Sequence, residues 1–135
     1  MTTSSRPVPR AVVAGHAGFA AGVVSAAVRI SGRTDSFVAV SNEGLDLRGL
    51  EEAIRAALKA HGATVIFTDL PAGSCTMAAR RIQRDQPGVA VVTGVNLATL
   101  LDFAFHTEAG DEHAVEHAAD KGRAALVVTG GPRGA

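Results

Sequence analysis

Three side chains able to do chemistry stand out by their neighbours. His16 lies in "AVVAGHAGFAAG" (11–22), at the end of a short apolar run and next to Gly15. Asp69 and Ser74 lie in "TDLPAGSC" (68–75), after another apolar run. A carboxylate that accepts a hydrogen bond from one imidazole nitrogen fixes the tautomer and leaves the other nitrogen with a free lone pair. The neutral ring is the nucleophilic form, and at the ordinary histidine pKa of about 6.5 it predominates at neutral pH. Ala72-Gly73-Ser74 reads as the opening of a helix. Its unpaired N–H groups and the Ser74 hydroxyl suit an anion, and Gly73 lets the backbone approach one closely. Ser74 also suits a helix N-cap, a role compatible with anion binding. A nucleophilic His16, an orienting Asp69 and an anion nest at Gly73 and Ser74 together suit a phosphohistidine site. Such a site needs no magnesium and no cofactor, because the N–H donors balance the phosphoryl charge.

The elements that must position these groups alternate between strand and helix. Ala11–Gly15 predicts a first strand, and a helix follows from about Gly18 to Ile30, ended by Ser31-Gly32. "SFVAV" (36–40) predicts a second strand. "DLRGLEEAIRAALKAHG" places Leu47, Leu50, Ile54 and Leu58 on one helical face, with Asp46 as N-cap and Gly62 as C-cap. "TVIFTDL" (64–70) predicts a third strand, and a helix begins at Ser74, with Arg80, Arg81 and Arg84 toward its negative end. "GVAVVTGV" (88–95) predicts a fourth strand, "NLATLLDFAF" (96–105) a fourth helix and "DEHAVEHAADKG" (111–122) a last helix. "RAALVVT" (123–129) reads as a fifth strand. Near-continuous apolar strands imply a sheet covered on both faces. The fold class is therefore α/β, a doubly wound, mainly parallel open sheet flanked by helices. Sites in such sheets lie outside the carboxyl ends of the strands, where His16, Asp69 and the Thr93–Asn96 turn fall.

Composition narrows the function classes. With 135 residues the chain forms one domain, expected over 11–130, with a disordered lead-in over 1–10 and a flexible tail over 131–135. Formal charges balance, no Trp or Tyr is present and Phe occurs five times, which argues against a nucleic-acid binder. The single cysteine, Cys75, excludes an internal disulfide and fits a reducing cytoplasm. The uncharged run 11–28 superficially resembles a signal peptide or membrane span, but its Ala, Gly and His content reads better as strand, turn and buried helix.

The order and spelling of these pieces resemble the enzyme IIA component of the mannose family of the bacterial phosphoenolpyruvate-dependent sugar phosphotransferase system. "VVAGHAGFAAGVVSAA" resembles its opening strand and G-H-x-x-F/W-A pattern, "VIFTDLPAGSCTMAARRI" its Asp-containing loop, and "VAVVTGVNLATLLD" its G-V-N turn. The resemblance implies that His16 is phosphorylated, that Asp69 is its hydrogen-bond partner and that Gly73 and Ser74 contact phosphate. It implies phosphate arriving from the carrier HPr and leaving to a histidine of a IIB subunit. It also implies a homodimer in which the C-terminal strand, here "RAALVVT", exchanges between protomers at the sheet edge, antiparallel to its neighbours. Two departures concern loop geometry. The family's Gly-Gly-Ser-Pro reads Ala72-Gly73-Ser74-Cys75, losing a flexible position and an N1 proline, and "SNEGLD" replaces the segment after the second strand.

Other readings fit less of the chain. A receiver domain phosphorylated on Asp69, with Thr93 at the end of strand four, would need an acidic pair where Gly15-His16 stands and a lysine where "VVTGGPRG" has none. A serine hydrolase built on Ser74 lacks the G-x-S-x-G elbow. A regulatory module of the same fold without phosphotransfer remains the alternative, and the phosphocarrier subunit of dihydroxyacetone kinase resembles the Asp69 loop less well. Cys75 reads as a small buried residue. His113 and His117, spaced i, i+4 around Glu116, form a metal-like pair without a third ligand, so a solvated helix face and no metal are expected. His61 and His106 read as helix-end residues, and the three arginines as a solvated face. No residue names the sugar.

Overall fold

The computed structural model describes residues 10–106 and 113–132. The chain runs β1 (Ala11–Gly15), α1 (Phe19–Ser31), β2 (Phe37–Ser41), α2 (Leu47–His61), β3 (Val65–Thr68), α3 (Ser74–Asp85), β4 (Ala90–Thr93), α4 (Leu97–Phe105) and α5 (Ala114–Ala124). The four strands form one sheet in the order β2-β1-β3-β4. Every pair is parallel, and Ala14 stands opposite both Val40 and Thr68. All the strands therefore end at one edge, where His16 and Asp69 begin their loops.

Alternation along the central strands divides the core in two. Ala11 and Val13 of β1, with Val65 and Phe67 of β3, pack under α1, α4 and α5. Val12, Ala14 and Ile66 face the other way, onto Leu50, Ile54 and Leu58 of α2 and Ala78, Ala79 and Ile82 of α3. The sheet is doubly wound because successive residues of a strand point to opposite faces and both faces are apolar. Phe103 of α4 meets the ring of Phe67 edge-on at 5.3 Å and lies 5.9 Å from that of Phe37. Helix α2 ends as its sequence predicts. The Asp46 side chain accepts the Gly49 N–H at 2.7 Å, and Gly62 closes the helix with φ +63°. Arg55 of α2 reaches Asp85 of α3 at 2.6 Å and Glu51 of its own helix at 2.8 Å, tying the two helices of this layer together.

Two expectations are corrected. Helix α3 begins at Ser74 as expected, but its N-cap is Gly73, which holds a non-helical conformation with positive φ (φ +112°, ψ 176°), and among the described residues no side chain caps the helix. The run 123–129 is not a strand. Arg123 and Ala124 belong to α5, and residues 126–129 leave the helix without secondary structure. Leu126, Val127 and Val128 are 86%, 69% and 89% exposed. A strand is made by its neighbour, and among the described residues this segment has none. Most of the expected lead-in (1–10) and tail (131–135), and the start of the expected last helix at 111–112, lie outside the described residues. Among the described residues no helix is long and apolar enough to cross a membrane.

Candidate phosphoryl-acceptor site at the carboxyl edge of the sheet

Asp69 leaves β3 beside the end of β1. Its Oδ2 accepts the His16 backbone N–H at 2.8 Å and stands 2.7 Å from His16 Nδ1. A carboxylate can only accept, so the ring proton sits on Nδ1, leaving Nε2 as the lone-pair nitrogen. The close fit depends on Gly15. A Cβ there would lie 2.8 Å from Phe19 Cδ2 and 3.4 Å from Asp69 Oδ2. The imidazole is half-exposed, while the Asp69 side chain is only 10% exposed. Burial alone would raise the Asp69 carboxyl pKa. The hydrogen bonds from the His16 ring and backbone, with the ring's charge, outweigh it and hold the carboxyl below its ordinary value. Asp69 Oδ1 is buried without a hydrogen-bond partner among the described residues.

Gly73 forms the other wall. A Cβ on it would fall 3.4 Å from His16 Cε1 and 4.0 Å from Nε2, so the lone-pair nitrogen faces the start of α3. The Gly73 carbonyl accepts the Met77 N–H at 2.9 Å, the first bond of the helix. The N–H groups of Ser74, Cys75 and Thr76 precede the intrahelical ladder and carry the positive end of the helix dipole. The loop needs glycine at 73 alone. Ala72 does not adopt positive φ, so the alanine in the motif is tolerated without strain. Cys75 is fully buried in the α2–α3 layer. Burial and the nearby Asp69 charge push its thiol up to about 11, against a smaller downward pull from a hydrogen bond with Ser74.

The structure adds positioning residues that sequence reasoning missed. Ala17 adopts the left-handed conformation (φ +50°), which costs an L-residue about 1–2 kcal/mol. It is clamped from β2, since Asn42 Oδ1 accepts the Ala17 N–H at 3.1 Å and Ser41 Oγ donates to its carbonyl at 2.9 Å. On the other side, Thr68 Oγ1 and Thr76 Oγ1 lie 2.6 Å apart, one hydroxyl donating to the other, and the second donates to the Leu70 carbonyl. This network braces the Asp69 loop between β3 and α3. Asn42 alone carried a signal, being a side chain that favours turns at a strand end.

Thr93 and Asn96 do not join His16. Both line a cleft of about 500 Å³ between β4 and α5. Asn96 caps α4 by accepting the Thr99 N–H at 3.0 Å and donates to the Gly122 carbonyl at 2.9 Å. His61 ends α2 and His106 follows α4 directly. Arg80, Arg81 and Arg84 are exposed, with Arg81 3.8 Å from Glu51. His113 faces Glu116 at 3.5 Å, whereas His117 turns away to α4. His16, Asp69 and Cys75 bring potential metal-ligand atoms within 4.8 Å of one another. The thiol is protonated at neutral pH and Asp69 is engaged with His16, so this trio is organised to hold a ring proton.

The family described as "PTS system fructose IIA component", a part of the sugar phosphotransferase system (PTS), matches residues 10–120. The chain belongs to this family. As a PTS IIA component it has a phosphoryl-transfer role in a sugar phosphotransferase system. Solved structures share the fold. The mannose/sorbose-specific IIA subunit from Enterococcus faecalis superposes with TM-score 0.78 at 21% identity, covering 96% of this chain and 100% of that one. The PTS IIA protein associated with the fucose utilization operon of Streptococcus pneumoniae gives 0.78 at 20% identity, covering 92% and 96%. The EIIA component from Streptococcus agalactiae gives 0.76 at 17% identity, covering 88% and 95%. No curated protein matches the chain significantly. The doubly wound parallel fold expected from the sequence is the IIA fold.

Proposed function

We propose that this IIA component carries the phosphoryl group on Nε2 of His16, taking it from phospho-HPr in the cytoplasm and passing it to a histidine of a IIB subunit. The observation that carries this reading is the His16–Asp69 contact of 2.7 Å at Nδ1, which leaves Nε2 free beside Gly73. In the acceptance step the Nε2 lone pair forms the new N–P bond while the N–P bond to the donor histidine breaks. The donor ring leaves with its electron pair. The His16 ring gains positive charge as the bond forms, and the Asp69 carboxylate, already bonded to Nδ1–H, stabilises it. The N–H groups at the start of α3, with Gly73 and Ser74, receive the phosphoryl oxygens. Transfer to IIB reverses these roles.

The same reading covers the homodimer. Among the described residues β4 ends the sheet with one edge unpaired, and the exposed Leu126-Val127-Val128 run follows α5, with Leu126 lining the same cleft as β4. A second copy that contributes this run to β4 would cover both. The test is phosphorylation by phosphoenolpyruvate, enzyme I and HPr, comparing the parent with His16→Ala. An acid-labile, alkali-stable phosphate lost in His16→Ala is expected. An alkali-labile label that survives this substitution and is lost in Asp69→Asn would place the phosphate on Asp69. No label with a competent HPr would make the chain a regulatory module.

A further inference from the structure

A second histidine–carboxylate cluster lies away from His16. Asp102 is near the end of α4, His106 follows that helix and His117 projects from α5. Asp102 Oδ2 is 2.7 Å from His117 Nδ1 and 3.5 Å from His106 Nδ1, and the two imidazole rings are 4.7 Å apart. Helix α4 starts at the carboxyl edge of the sheet and runs back along it. At 1.5 Å per residue, His106 stands about 15 Å along the helix axis from the Asn96 cap. Phosphoryl transfer at His16 uses none of these groups.

We propose that Asp102, His106 and His117 form a binding site for a late first-row divalent cation of the zinc class. Two imidazoles and one carboxylate are the donor set such ions take, with water completing the shell. Each side chain brings one ligand atom within 4.8 Å of the other two. A closed tetrahedral shell separates its donors by about 3.3 Å, so small side-chain rotations suffice. Asp102 is 16% exposed, His106 26% and His117 48%, which leaves the cluster open to an entering ion and retained water. His106 gives up a local contact when it turns to an ion. Its Nδ1 is 2.9 Å from the Asp102 carbonyl, but that carbonyl also accepts the His106 backbone N–H at 3.2 Å and keeps a partner. One divalent ion would bind both rings in their neutral form. His106 and His117 bracket the α4–α5 connection, so a bound ion would fasten α5 to the end of α4.

The test is a Zn²⁺ titration of the full chain against a competing chromophoric chelator, repeated for His117→Gln, His106→Gln, His16→Ala and Cys75→Ser. One tight equivalent is expected for the parent, for His16→Ala and for Cys75→Ser. Affinity should fall by more than about 100-fold in His117→Gln and His106→Gln, beyond the loss of a merely supporting group. Co²⁺ should give ligand-field bands without thiolate charge transfer. Histidine ring NMR of the parent needs no variant. Zn²⁺ should shift the His106 and His117 resonances and leave those of His16 in place. Absence of a tight equivalent, undiminished affinity in His117→Gln, or loss confined to His16→Ala and Cys75→Ser would overturn the proposal.

Discussion

Gly73→Ala probes the site at its narrowest point. Gly73 has φ +112° and ψ 176°, a region that residues with a Cβ essentially do not occupy. Holding alanine there costs about 1–3 kcal/mol. A chain of this length loses about 3–4 °C in melting temperature per kcal/mol, so a fall of about 3–12 °C follows if the loop keeps its shape. The new methyl would stand 3.4 Å from His16 Cε1 and 4.0 Å from Nε2, on the approach to the lone pair. If the loop instead relaxes, Gly73 and the first N–H groups of α3 turn away from Nε2. A misplacement of about 1 Å at a reacting group costs about 100-fold in rate. Stability and phosphoryl uptake therefore respond together or in exchange. Scanning calorimetry and the initial rate of labelling by phospho-HPr measure the two, with Ala72→Gly, expected to cost under about 1 kcal/mol, as the neighbouring control. A Gly73→Ala chain with an unchanged melting temperature and an unchanged labelling rate would refute both the conformational argument and the placement of the phosphoryl beside this residue.

Asp69→Asn keeps an acceptor for His16 but loses the carboxylate charge, so phosphoryl uptake should fall by about 10²–10⁴-fold in the same assay. The folded Asp69 carboxyl lies below its unfolded value of about 3.9, so the stability it adds is present above that pH and lost as pH falls through the folded value. Urea midpoints of parent and Asp69→Asn should therefore differ at neutral pH and converge toward pH 2–3. The Cys75 thiol, buried and pushed up to about 11, should resist alkylation at pH 8 in the native chain and react within minutes once denatured. Rapid native labelling would show that the α2–α3 layer opens. Gly122→Ala would place a Cβ 2.0 Å from Thr99 Oγ1 and 3.2 Å from Asn96 Oδ1, forcing α5 from α4 at a cost of about 1–3 kcal/mol in urea unfolding.

How far the molecule could be read from its sequence depended on where each signal resides. Asp46, Gly62 and the Leu50–Ile54–Leu58 face of α2 are local signals, and the helix forms where they lie. His16 and Asp69 were legible as neighbours because each follows an apolar strand, and parallel strands deliver their ends to one edge. Ser41 and Asn42 were not, since only the pairing of β2 beside β1 brings them to Ala17. The threonine pair at 68 and 76 depends on a helix folding back over its own strand. His117 reads from the sequence as part of a solvated helix face because only its own helix is visible in one segment, whereas its partner Asp102 lies 15 residues away on another helix. The run 123–129 had the composition of a strand, but composition does not provide the neighbour that pairing requires.

The Asp69 loop grips His16 largely through main-chain geometry. The carboxylate takes the His16 N–H, Gly73 faces the ring with its Cα, and the Leu70 carbonyl accepts from the hydrogen-bonded threonine pair. Such contacts depend on where the backbone runs and little on which apolar side chain fills the space beneath. The chain keeps a TM-score of 0.78 against a IIA subunit with which it shares 21% of its residues. An engineer could therefore repack the Val12–Ile66–Ile82 layer with other aliphatic residues of equal total volume, altering the melting temperature while leaving the distance between the His16 ring and Gly73 unchanged.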